Sequence, residues 1–207
     1  MKKIINSITL IAVISALFTL SSCSREPGKP AMYIEKAVLS QQEEKIAQLL
    51  GAESGAGIYD FVLDDTVKCI QVNTYQLSDG TWELISGGGG WQFSDIKGRL
   101  ALSFENIGEG LRIAVQSEND SGSMEHSTDP KEGITEMGRA TSMLNNLREI
   151  TYEQEIPLVM QIFTSNSSVY SLDVDYFFKP EKYQEYGYES VYAVTVRFSQ
   201  KTVGELE

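Results

Sequence analysis

Aromatic side chains are the residues of this chain best suited to recognising a ligand: Trp82 and Trp91, with Tyr170, Tyr176, Tyr183, Tyr186 and Tyr188. Each offers a flat apolar face and a polar edge, so such rings can stack on a sugar or on a partner peptide. Core packing is the commoner use of aromatics in a β-rich domain. The tyrosines of residues 183–188, however, sit among Glu, Lys and Gln rather than aliphatics. That company points to a partly exposed cluster and makes Trp82, Trp91, Tyr183, Tyr186 and Tyr188 the candidate ligand-binding residues.

Other chemistry is thinner. Asp60, Asp64 and Asp65, and separately Asp173 with Asp175, could offer oxygens to calcium, but neither set has the EF-hand spacing, and solvated turns explain them more simply. Paired carboxylates for glycoside cleavage need a separation that only the fold can set. Cys69 lies in the apolar run Val67-Lys68-Cys69-Ile70-Gln71-Val72, where cysteine serves as a small buried hydrophobe. The single histidine, His126, falls in the polar stretch 119–130, so a Cys/His nucleophile pair is not expected and a His-rich zinc site is excluded by count. Gly87 to Gly90 resembles a phosphate cradle in composition, yet Trp91 follows in place of Gly-Lys-Ser/Thr, and a flexible hairpin link is the simpler reading. No cofactor, no metal and no catalytic residue is implied.

The elements that must position these residues read as strands. Residues 58–63 and 67–77 are rich in β-branched and aromatic types, and Ser78-Asp79-Gly80 turns the chain into Thr81-Trp82-Glu83-Leu84-Ile85, a hairpin signal. Leu100, Leu102 and Phe104 alternate with wetter residues, as do Leu111, Ile113 and Val115. Residues 156–164 are apolar on both faces and read as a central strand despite Pro157. The last strand, 191–198, aligns Tyr192, Val194, Val196 and Phe198 on an inner face. One helix is signalled by Ser40-Gln41-Gln42-Glu43, an N-cap box, followed by Ile46, Leu49 and Leu50 on one face and a stop at Gly51. Its expected task is to cover a sheet face or edge. Residues 117–133 read as a long polar loop. Residues 134–152 suit either a helix or strands separated by a turn at Asn145-Asn146, and strands are preferred. In residues 172–188 Pro180 rules out one long helix. Short strands, frequent turns and one helix predict a mainly β fold, an antiparallel two-sheet sandwich or a partly open barrel.

The chain begins Met-Lys-Lys, continues apolar from Ile4 to Leu20 and reaches Ser21-Ser22-Cys23. This is the layout of a secretory signal, and Leu20-Ser21-Ser22-Cys23 resembles the lipobox of bacterial lipoproteins. The resemblance implies cleavage before Cys23 and lipid, palmitate included, on that cysteine. Residues 1–22 are then signal peptide, 23–31 a Pro/Gly tether, and 32–207 a single domain. Lipoproteins carry two or three chains, and each buried CH₂ contributes about 0.8 kcal/mol, so the anchor is permanent. The expected location is the extracytoplasmic face of a bacterial membrane. The stretches from Glu155-Ile156-Pro157-Leu158 to Tyr188-Glu189-Ser190-Val191-Tyr192-Ala193-Val194-Thr195-Val196 resemble uncharacterised lipoproteins of Firmicutes, a likeness that brings no activity with it.

Charge narrows the partners. The chain carries a net charge of −12, and cleavage would also remove Lys2 and Lys3. Such a surface repels phosphate backbones, which argues against nucleic acid as a partner. The expectation is therefore a membrane-tethered, noncatalytic domain binding an envelope polysaccharide or protein. A tethered carboxylate-dependent hydrolase is the alternative, and calcium-dependent adhesion a third.

Overall fold

A computed structural model describes residues 28–49, 56–87, 90–127 and 137–206. The signal segment, Cys23, Leu50, Gly51, residues 128–133 of the expected loop and residues 134–136 of the segment after it lie outside them. In chain order the elements are β1 (Tyr33–Lys36), α1 (Gln41–Leu49), β2 (Ala56–Val62), β3 (Cys69–Ser78), β4 (Thr81–Ser86), β5 (Trp91–Gln92), β6 (Lys97–Ser103) and β7 (Gly110–Ser117). There follow β8 (Ser121–Ser127), β9 (Gly138–Met143), β10 (Arg148–Glu149), β11 (Ile156–Thr164), a 3-10 turn (Val174–Phe178), α2 (Glu181–Glu185), β12 (Ser190–Ser199) and a final 3-10 turn (Val203–Glu205).

Alternation builds the first sheet, whose strand order is β10-β1-β2-β6-β7-β8 with every pair antiparallel. Tyr59, Phe61, Leu100, Leu102, Leu111, Ile113 and Val115 point inward, while Asp60 and Arg99 face out as a cross-strand ion pair at 2.7 Å. The second sheet has the order β4-β3-β12-β11-β9, with β5 pairing the start of β3. Phe61 of the first sheet meets Phe93 and Phe198 across the core at 5.3 and 5.7 Å. Polar groups that cross the gap are paired: the Tyr59 hydroxyl donates to the Leu158 carbonyl at 3.0 Å, and the Ile107 N–H to Gln161 Oε1 at 2.8 Å. The result is a mainly β fold of two antiparallel sheets face to face, a sandwich rather than a closed barrel.

Strand β11 is buried at every position, and β12 at all but Arg197. One face of each lies against the first sheet. The other is covered by residues 165–189 and by Gly87, Gly90 and residues 153–155, so the second sheet is the middle layer of three where the candidate tyrosines lie. Pro157 is accommodated by a register shift between Pro157 and Val159. The β3–β4 hairpin turns at Asp79 (φ 48°) and Gly80 (φ 80°), the paired left-handed conformation that suits two-residue hairpin loops.

Two expectations need correction. The helix starts as expected, with the Glu43 N–H donating to Ser40 Oγ at 3.3 Å and the Ser40 N–H to Glu43 Oε2 at 2.8 Å. Its apolar stripe, however, does not cover a sheet: Ile46 is 57% exposed and Leu49 86%. What holds α1 is polar, a 2.8 Å ion pair from Glu43 to Arg99 on the outer face of the first sheet. Of the expected loop, Ser117 and residues 121–127 are strand. They form the end of β7 and edge strand β8, which pairs along its whole length with β7. Its sequence, Ser-Gly-Ser-Met-Glu-His-Ser, lacks apolar alternation because only one flank is paired and its outward positions are wet. Residues 138–143 and 148–149 are strands, as preferred, and Asn145-Asn146 lies between them.

Candidate functional site

The aromatic segment is positioned by the outer face of the second sheet. Register places Tyr75 and Leu77 of β3 and Trp82 and Leu84 of β4 on that face. The 3-10 turn settles there and buries Val174 and Phe177. The Phe177 ring stacks on Trp82 at 5.1 Å and 22°, and tilts onto Tyr75 at 5.5 Å. Trp82 Nε1 donates to the Phe177 carbonyl at 2.8 Å, and the Tyr183 ring meets the indole edge-on at 6.1 Å. The turn is held at its start by the Asp173 carboxylate, which accepts from the Asp175 N–H, and by a 2.6 Å ion pair between Asp175 and Arg148.

Trp82 is thus the anchor of a third layer and not part of an exposed platform. Tyr183 is corrected as well: it is 1% exposed, the one buried residue of α2. Glu181, Lys182, Gln184 and Glu185 around it are the other faces of that short helix. Trp91 is elsewhere. It pairs with Ile70, whereas Trp82 pairs with Leu77, so the two stand seven positions apart on β3, roughly 23 Å. They also face opposite sides of the sheet. Trp91 packs against Gly122 of β8, where an added Cβ would come within 2.7 Å of the indole.

At the surface Tyr170 and Tyr186 are exposed and cluster with the half-buried Tyr188. Tyr186 and Tyr188 are parallel at 5.5 Å and 11°, and Tyr170 approaches Tyr186 at 6.0 Å. Tyr170 is 60% exposed and Tyr186 42%. The Tyr188 hydroxyl locks the set by donating to the Tyr170 carbonyl at 3.2 Å and accepting its N–H at 3.3 Å. Tyr170 belongs to this cluster, whereas half-buried Tyr176 packs on the core.

Beside the stack runs a groove of about 550 Å³ between the β3–β4 turn and the segment from α2 into β12. Ser78, Asp79 and Gly80 form one wall; Tyr183, Gln184, Tyr188, Glu189 and Ser190 form the other. The walls are in contact at the base, where an added Cβ on Gly80 would lie 2.5 Å from the Gln184 amide. Ser165 donates to Glu189 from both its hydroxyl and its N–H, which draws that carboxyl down to about 2. The Tyr183 hydroxyl is buried and has no hydrogen-bond partner among the described residues. Burial pushes its phenol up, so it stays protonated at neutral pH.

A second polar region on the same sheet was legible only as an alternation of polar side chains in apolar strands. Gln71, Asn73, Thr195 and Ser199 are buried on the outer face. Glu155 accepts from Asn73 Nδ2 at 2.9 Å, from the Tyr75 hydroxyl at 3.1 Å and from Thr195 Oγ1. Glu153, at φ 61°, accepts from Ser199 and lies 3.9 Å from Arg197, which also bonds Gln71. Gly87 and Gly90 approach this face. A Cβ on Gly87 would collide with Asn73 and one on Gly90 with Cys69, so those two glycines serve close approach rather than slack. Cys69 is fully buried, and burial pushes its thiol up to about 11, as befits a packed thiol.

The remaining candidates do not converge. Asp60 is bound to Arg99, Asp64 to Thr66 and Tyr152, Asp173 to the 3-10 turn and Asp175 to Arg148. Among the described residues no group of three His, Cys, Asp or Glu could hold a metal. His126 lies on β8 in the first sheet, away from Cys69 on the outer face of the second. Comparison with protein-family models, with curated proteins and with solved structures gave no match, so no relative supplies a ligand for the groove.

Proposed function

We propose that this protein is a noncatalytic recognition domain, lipid-anchored through Cys23 on the outer side of a bacterial membrane, that binds an envelope polymer at the Tyr170–Tyr186–Tyr188 face and the adjoining groove. The observation that carries this reading is the stack itself. Exposed aromatic faces cost solvation, and here Tyr170 and Tyr186 expose theirs around half-buried Tyr188, which hydrogen-bonds Tyr170 and stacks on Tyr186, on a layer clamped to the sheet by Trp82 and Phe177. A site on such a support loses little conformational freedom on binding. A carboxylate-dependent hydrolase gains no support from Glu153 and Glu155, the acids that share the polar region, because both accept hydrogen bonds from the sheet beneath them.

The test is a glycan-array and envelope pull-down screen with the full chain and with Tyr186→Ala. Selective binding that the variant loses is the expected result; equal binding by both would move the site elsewhere. The anchor is tested separately: Cys23→Ala is expected to remain uncleaved and to take up no labelled palmitate. Wild-type protein without label would remove the membrane from the reading.

A further inference from the structure

We infer that the groove is a sugar subsite in which the Tyr183 hydroxyl hydrogen-bonds an oxygen of an uncharged sugar unit while the neighbouring tyrosine stack carries the rest of the polymer. The inference rests on the recognition reading above and names its ligand class. A hydroxyl that is buried in the folded chain without a partner is rare, because folding strips its water and returns nothing. Tyr183 has the partners it needs for its ring, chiefly Trp82, but none for its oxygen among the described residues. That oxygen is closed to solvent in the free protein but belongs to a residue lining the groove, so a ligand oxygen that displaces the side chains over it can supply the missing bond.

The lining selects the ligand. At 550 Å³ the groove lies within the range of small-ligand sites, about 300–1,000 Å³. Among the described residues no Lys or Arg lines it, while Asp79 and Glu189 do, so a phosphate or uronate would meet like charge without a compensating cation there. Leu77 and Val191 are the only aliphatic side chains lining it among the described residues, which leaves little for an apolar peptide side chain to fill. Ser78, Gln184 and Ser190 add further donors and acceptors suited to hydroxyls. A neutral sugar has the matching character, a hydroxylated rim for the groove and an apolar ring face for Tyr186 and Tyr188.

The experiment titrates the full chain with hexasaccharides of N-acetylglucosamine, glucose and mannose, and with a galacturonate hexamer, using calorimetry and thermal melts. At least one neutral hexamer is expected to bind, with galacturonate at least tenfold weaker. Tyr183→Phe is expected to weaken the neutral ligand about tenfold, as loss of one hydrogen bond would, and to raise the melting temperature of the free protein because the orphaned hydroxyl is gone. Asp79→Asn keeps the left-handed turn and should narrow the gap to galacturonate. If Tyr186→Ala abolishes binding and Tyr183→Phe leaves it unchanged, the subsite is refuted while the recognition face stands. If no neutral hexamer binds, or Tyr186→Ala has no effect, the recognition reading falls and the subsite with it. A lower melting temperature for Tyr183→Phe, or tightest binding to galacturonate, would overturn the assignment of the hydroxyl or of the ligand's charge.

Discussion

The outer face of the second sheet is covered by two chemistries side by side. Over Tyr75, Leu77 and Trp82 the cover is aromatic and aliphatic, and it ends in a groove where one buried hydroxyl lacks a partner. Over Gln71, Asn73, Thr195 and Ser199 it is polar, and Glu153, Glu155 and Arg197 meet the side chains beneath them. Buried polar networks stabilise when satisfied and are costly when not. The polar half, though richer in groups that could do chemistry, is saturated and reads as structure. The aromatic half is the one with capacity left for a ligand.

Substitutions can separate the two halves. The largest effect is expected from Phe177→Ala, which removes the ring between Tyr75 and Trp82 and should cost about 3–5 kcal/mol. Urea denaturation measures the loss, and binding should disappear with it because the groove wall detaches. Glu155→Ala leaves Asn73, Tyr75 and Thr195 without their shared acceptor and should cost about 2–3 kcal/mol. Any protein that still folds should bind sugar normally, so a selective loss of binding there would relocate function to the polar half. Tyr186→Ala removes a 42% exposed ring and should change stability by less than about 0.5 kcal/mol while binding is lost.

The smallest effect concerns pH. Glu189 is held at about 2 by hydrogen bonds from Ser165, below its unfolded value near 4.5. A depressed carboxyl contributes stability that is complete above the unfolded value and is lost as pH falls toward the folded one. The Ser165–Glu189 clamp should therefore persist at neutral pH and open between about pH 4.5 and 2. An NMR titration of the Glu189 carboxyl should show this depressed midpoint, and Ser165→Ala should return it toward the ordinary range.

Local chemistry made much of the frame legible. The Ser40–Glu43 box, the Asp79-Gly80 turn, the alternation in β6 and β7 and the apolar run of β11 each state their structure within a few residues. What stayed hidden depends on distant pairing. Strand β8 exists because β7 offers it a ladder, and nothing in Ser-Gly-Ser-Met-Glu-His-Ser announces that. Tyr183 is buried because Trp82, about a hundred positions earlier, lies where α2 comes down. Trp82 and Trp91 look equivalent in the sequence, and only their registers on β3 send them to opposite faces. The tyrosine stack was partly legible, since Tyr186 is exposed and Tyr188 half-buried among polar neighbours, whereas the groove beside it is made by the approach of two separate segments.

The most direct test of the recognition face is an NMR titration of the isotope-labelled full chain with the neutral hexasaccharides, following the ring signals of Tyr170, Tyr186 and Tyr188. These rings and the backbone of residues 78–80 and 183–190 are expected to shift together, while Trp91 and the Glu153–Glu155 region stay still. Shifts centred on the polar half, or no shift with any hexamer, would contradict the recognition reading.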